Sequence, residues 1–144
     1  MRDATAKTPF HLWIIGIIAL LWNAMGAFDY TATQMQLDFY MSQFTTEQLE
    51  YYYAFPAWVD AAWAIAVWSS LLASLGLLIR QAWAALLFGL AILGLAATST
   101  YTFFLSNGAQ LMSGGEKQFM IVVWVIALAL YFYSRAMAKN RVLR

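Results

Sequence analysis

The chain has 144 residues, of which 63% are apolar (AVILMFWYC) and 10% charged, against about 45–50% apolar (glycine included) and about 25% charged in soluble globular domains. A core of one-domain size cannot bury that much apolar surface, which excludes a soluble domain and leaves an integral membrane protein. The absence of cysteine and the single histidine, His11, argue against disulfide scaffolds, thiolate chemistry, bis-histidine haem and histidine-rich metal centres, and a net charge of +1 with dispersed Lys and Arg gives no nucleic-acid footprint.

A membrane helix needs about 20 mostly apolar residues to cross about 30 Å of hydrocarbon. Four such runs occur, at residues 10–32, 57–79, 82–105 and 119–136. A basic stretch at 1–7 precedes the first, and with Ala24 and Gly26 downstream it also matches a secretory signal. Because the chain starts at Met1, a retained first span is the preferred reading. Between the first two spans, Thr45 and Gln48 have capping-box spacing, and Phe44 and Leu49 stand where a hydrophobic staple would put them. They predict a short helix from Thr46 to about Ala54. Its Tyr51, Tyr52 and Tyr53, followed by Phe55, suit the headgroup layer, which makes it an interfacial anchor or, alternatively, a lid over an outward-facing cavity. Pro56 then sits where a helix can begin. Arg80-Gln81 alone separates the second and third spans, so these form a tight antiparallel hairpin. Asn107-Gly108 and Gly114-Gly115 read as turns in the last loop. Trp13 and Trp83 mark one membrane interface, and Trp58 with the tyrosine run marks the other.

Alternating spans put Arg2, Lys7, Arg80, Arg135, Lys139, Arg141 and Arg144 on one side and only Lys117 on the other, seven of the eight basic residues against one. Basic residues are retained on the cytoplasmic side. The predicted fold is therefore an all-α integral membrane four-helix bundle, a single transmembrane domain over 1–144. Both termini are cytoplasmic, and a short interfacial helix lies in the first outer loop. Asp38, Glu47, Glu50 and Glu116 give the outer face a negative field.

Helices in lipid associate where small residues let backbones approach. The second span carries Ala62, Ala66, Ser69, Ala73 and Gly76 as one seam, and the third answers with Ala91, Gly94, Thr98 and Tyr101, and separately with Ala85, Gly89 and Ala96. Polar groups at membrane depth are costly and so are candidates for function or for interhelical hydrogen bonding. Asn23, near mid-depth on the face of Gly16, Ala19, Ala27 and Tyr30, has Ser69 or Ser70 as its expected partner. Asp29 and Asp60 lie in the outer half. Asp60 follows Pro56 by one helical turn, where the helix start favours an anion, whereas Asp29 requires either that the first helix continue through Gln34 or that a cation, Lys117, pair with it. If desolvated, either carboxylate would bind a proton or a cation. His11 beside Trp13 reads as an interface residue. No nucleophile and base pair, phosphate loop, zinc motif or paired-carboxylate constellation is visible, so no catalytic residue, metal site or cofactor is expected.

Residues 22–30 (WNAMGAFDY) and 53–61 (YAFPAWVDA) are similar to strings in a family of small bacterial inner-membrane proteins, some of which are labelled sugar transporters. The resemblance covers most of the chain, including the arginine-bearing hairpin and the basic tail. It implies four helices and a Gram-negative inner membrane, and carries no catalytic or binding residues over. The proline-glutamine pair of small sugar exporters does not occur here.

Two functional readings follow. The favoured one is an accessory or structural membrane subunit whose seams and aromatic outer helix dock another membrane protein. The alternative is a sugar or cation transporter or binding protein, acting as a homo-oligomer because four helices enclose little space. Its substrate would meet Asn23 and an outer vestibule of Asp29, Tyr30, Asp60, Trp63 and Tyr101, since aromatic faces suit sugars and cations. The lipid bilayer is a partner in both, and nucleic acid in neither.

Overall fold

The computed structural model describes residues 7–144. In chain order the helices are α1 (Phe10–Gln34), α2 (Asp38–Met41), α3 (Thr46–Tyr53), α4 (Ala57–Leu78), α5 (Trp83–Thr100), a π-helical turn (Tyr101–Leu105), α6 (Gly108–Leu111) and α7 (Gly114–Lys139). Four of these, α1, α4, α5 with its π-turn, and α7, are long and apolar enough to cross a membrane. The all-helical architecture and the four helices of spanning length are as expected.

The boundaries follow from local chemistry. Prolines 9 and 56 precede α1 and α4, where a missing N–H removes no helical hydrogen bond. At α3 the Thr45 side chain accepts from Gln48 N while Gln48 Oε1 accepts from Thr45 N, so the expected capping box forms. A second box, Ser113 with Glu116, starts α7 at Gly114 rather than at the expected Phe119, and the helix runs on to Lys139 rather than ending at Ala136. Gly114-Gly115 is thus the first turn of a helix. Gly108 likewise has a negative φ, and what demands glycine there is space, because a Cβ would run into the Tyr51 hydroxyl and lie 2.9 Å from Thr102 Cγ2.

Three of the long helices end the same way. Leu37 N reaches Ala32 O (3.0 Å), Gln81 N reaches Gly76 O (2.8 Å) and Val142 N reaches Met137 O (2.9 Å). Between each pair a non-glycine residue is left-handed: Gln36 (φ 53°), Arg80 (φ 57°) and Arg141 (φ 59°). These are Schellman closures, and a side chain in the left-handed region costs about 1–2 kcal/mol at each. The Arg80 closure makes the α4–α5 hairpin.

In packing, α4 lies against both α1 and α5, and α7 lies mainly against α5. The small seam on α4 brings backbones into close contact: a Cβ on Gly94 would stand 2.6 Å from Ala62 O and 2.9 Å from Ala66 N. Lower down, Ala19, Ala73, Phe88 and Leu130 form one buried cluster. Another, of Leu12, Leu77, Ala84, Val142 and Leu143, seals the end where the C-terminus returns. There Arg144 N donates to Arg80 O (2.8 Å) and Ala82 N to Arg144 O (2.6 Å), tying the tail to the hairpin. Arg80 also donates to Thr8, so Lys7, the hairpin and the basic tail share this end, and Lys117, in the first turn of α7, lies at the other. Arg2 is outside the described residues.

Candidate functional site

Asp29 and Asp60, two of the polar residues singled out in the sequence, lie toward the loop end that carries α2 and α3. Because α1 continues through Gln34, Asp29 is not at a helix C-terminus, and the unfavourable end of the helix dipole is more than a turn away. The Schellman turn at Gln36 folds α2 back over α1, and Tyr40 on α2 donates a short hydrogen bond to Asp29 Oδ1. Of the two expected alternatives the first therefore holds, and the partner of Asp29 is this neutral hydroxyl rather than Lys117. Burial raises the Tyr40 hydroxyl above its ordinary pKa, and the hydrogen bond to Asp29 and the charge on that carboxylate raise it further. Tyr52 is pushed up to about 12, mainly by burial and then by the charges on Glu116 and Asp29.

Asp60, one turn into α4, accepts from Gln34 Nε2 (3.0 Å), which links the ends of α1 and α4. Beside it Tyr30 meets Trp63 edge to face at 5.0 Å. The ring network continues from Trp63 to Phe55 (6.1 Å) and from Phe55 to Tyr101 (5.5 Å), and Trp58 meets Tyr101 at 5.7 Å. Tyr30, Trp63 and Tyr101 are thus joined through Phe55. Asn23 stands apart. Its Nδ2 donates to Ser74 Oγ (2.8 Å), and Ser74 in turn donates to Ser70 O (2.8 Å). The partner is Ser74, one helical turn beyond the expected Ser69 or Ser70.

Several residues of this end were not legible as members. Gln48 Nε2 donates to Leu111 O (3.2 Å) and to Glu116 Oε1 (3.2 Å), so the N3 residues of the two capping boxes are bonded to each other. Ser106 Oγ shares a hydrogen bond with the Tyr51 hydroxyl (2.7 Å) and donates to Tyr101 O (2.8 Å), which pins α3 to the π-turn. The Ser-Gly-Gly-Glu pattern at 113–116 was the available signal for the second box, and its glycines disguised it.

Beneath α3 lies a cavity of about 90 Å³, lined among others by Gln48, Tyr51, Tyr52, Gly108 and Met120. None of Asn23, Asp29, Tyr30, Asp60, Trp63 and Tyr101 lines it. Pockets that enclose drug-sized ligands run to about 300–1,000 Å³, and this one has room for a few waters at about 30 Å³ each. At the opposite end His11 Nδ1 and the Tyr133 hydroxyl are 2.6 Å apart, with the rings edge to face. Among the described residues no three His, Cys, Asp or Glu side chains are placed to hold a metal ion. No known family model, curated protein or solved structure matches this chain.

Proposed function

We propose that this protein is an accessory or structural subunit of a bacterial inner membrane, with both termini cytoplasmic and α3 lying in the outer headgroup layer. One observation carries the reading: the polar side chains at the loop end and at mid-depth are partnered with one another. Asp29 is held by Tyr40, Asp60 by Gln34, Asn23 by Ser74 and Glu116 by Gln48. Such pairing satisfies groups that would otherwise be costly in lipid, and it fixes the helix ends. The resemblance to small inner-membrane proteins and the excess of basic residues at the terminal end belong to the same reading.

Cross-linking in intact membranes followed by native mass measurement in mild detergent tests it. A stable complex with a second, different membrane protein is the expected result. A homo-oligomer that takes up a solute would overturn it.

A second reading, binding of a proton or a monovalent cation, rests on a specific feature: both partners of the outer aspartates, Tyr40 and Gln34, are neutral. The aromatic faces of Tyr30 and Trp63 beside them suit a cation. Proton or cation uptake into vesicles that is lost in Asp29→Asn, with thermal stability retained, would favour it over the structural role.

A further inference from the structure

A recess lies between α5 and α7, far from the aromatic end. It is an open groove of about 610 Å³, with Ala85, Gly89, Leu86, Leu90 and Leu93 along α5 and Tyr131 and Arg135 on α7. Its origin is a mismatch of sizes. Tyr131 packs across Gly89, where a Cβ would come within 3.2 Å of its ring, so a bulky side chain rather than backbone spaces the two helices. Leu86 and Leu93 stand 75% and 68% exposed along the groove.

The groove is polarised along the helix axis. Arg135 sits at the end shared with the hairpin and the basic tail, and Leu93 lies seven residues deeper than Leu86, about 10 Å at ~1.5 Å per residue. The Arg135 guanidinium is stationed 5.7 Å from the Tyr131 ring centre, with Nη1 3.4 Å from the Tyr131 hydroxyl. Both contacts are with a neutral residue, so the ring orients the cation without neutralising it. A charged head at the interface with an apolar channel running from it toward mid-depth is the complement of one leaflet lipid. Its anionic phosphate suits a planar guanidinium, and its chain suits leucines.

We propose that this groove binds an anionic phospholipid of the leaflet at the Arg135 end, with its phosphate on the guanidinium and one acyl chain along Leu86, Leu90 and Leu93. The site is independent of the loop end and of the function proposed above. It also requires no particular orientation of the chain in the membrane.

The test uses the full chain reconstituted with equal amounts of phosphatidylglycerol and phosphatidylcholine, extracted into mild detergent and weighed by native mass spectrometry. The expected result is one retained lipid per chain, with phosphatidylglycerol preferred by about five-fold or more. Arg135→Gln should bring the preference close to one, Arg135→Lys should keep part of it, and Lys139→Gln, one turn along the same helix, should change it less than two-fold. Helical circular dichroism of each variant checks that it is folded. Equal retention of the two lipids by the unaltered chain would overturn the proposal. So would equal losses in Arg135→Gln and Lys139→Gln, which would indicate only a diffuse positive field. Displacement of the lipid by inorganic phosphate would reduce the site to a phosphate contact, and a lipid-free dimer would assign the groove to a second copy of the chain.

Discussion

The α4–α5 seam and the loop end hold their elements together by opposite means. Along the seam there is almost nothing but backbone and methyl groups: Gly94 faces Ala62 and Ala66 so closely that no side chain fits between them. At the loop end the contacts are made by large rings and by hydrogen bonds between side chains, from Tyr40 to Asp29, from Gln48 to Glu116 and between Tyr51 and Ser106. In lipid, apolar side chains gain little from meeting, so close backbone contact supplies the cohesion at mid-depth. Near the membrane surface, hydrogen bonds and amphipathic rings take over. The seam should therefore be sensitive to volume and indifferent to pH, and the loop end the reverse.

The largest effect is expected in the seam. Gly94→Val places carbon against Ala62 O and Ala66 N, atoms that cannot give way without moving α4, and Ala66→Leu does the same from the other side. Each should cost about 1–3 kcal/mol, read as a lower melting temperature in detergent that does not vary across the neutral pH range. Unchanged melting in both variants would mean that this face turns to lipid and would dissolve the contrast.

A smaller effect is expected where a charge is involved at the loop end. A double-mutant cycle of Asp29→Asn with Tyr40→Phe should return a coupling of about 1.5–3 kcal/mol, the range for a hydrogen bond to an ionised group. The same cycle with Lys117→Gln in place of Tyr40→Phe should return little. Coupling to Lys117 that exceeds coupling to Tyr40 would restore the salt bridge, one of the two alternatives the sequence left open.

Smaller still is the neutral pair. Tyr51→Phe removes the hydroxyl shared with Ser106 and should cost about 0.5–1.5 kcal/mol. Ser106→Ala should cost more than that, because Ser106 Oγ also bonds Tyr101 O. Equal losses would show that the π-turn does not depend on this serine.

The loop end should also carry a pH dependence at high pH. Tyr52 titrates near about 12 in the folded protein, against about 10 for an unperturbed tyrosine. The fold thus holds this proton more tightly than the unfolded chain does. The resulting stabilisation is fully present below pH ~10 and is lost as pH rises through about 12. The difference between the phenolate absorbance titrations of the unaltered chain and of Tyr52→Phe should lie above the ordinary tyrosine midpoint, and a difference centred on that midpoint would contradict the burial assigned to that ring. Seam variants should leave this difference unchanged.

What was legible in the sequence divides along the same line. The four spans could be read because bilayer thickness converts directly into a run of about 20 apolar residues, a one-dimensional quantity. The Thr45–Gln48 box and the Ala66–Gly94 seam could be read because each depends on spacing within one helix, or on small residues whose only economical use in lipid is close approach. Asn23 shows where such reading stops. Depth along the helix pointed to Ser69 or Ser70, yet the hydrogen bond goes to Ser74, since the relative shift and rotation of two antiparallel helices appear in neither helix alone.

Asp29 makes the point more sharply. Sequence alone showed that an anion in the outer half of a span needs an answer and that Lys117 was the obvious cation. Only the tertiary structure decided that α1 continues to Gln34, that a left-handed Gln36 turns the chain back, and that the neutral Tyr40 of a four-residue helix provides the contact. Composition and periodicity determined that this chain is a membrane four-helix protein, because hydrophobic length and local capping are properties of contiguous residues. Which polar group meets which, and whether the aromatic end encloses a chamber, was decided by turns and helix registers. Those are set by packing among segments distant in the chain.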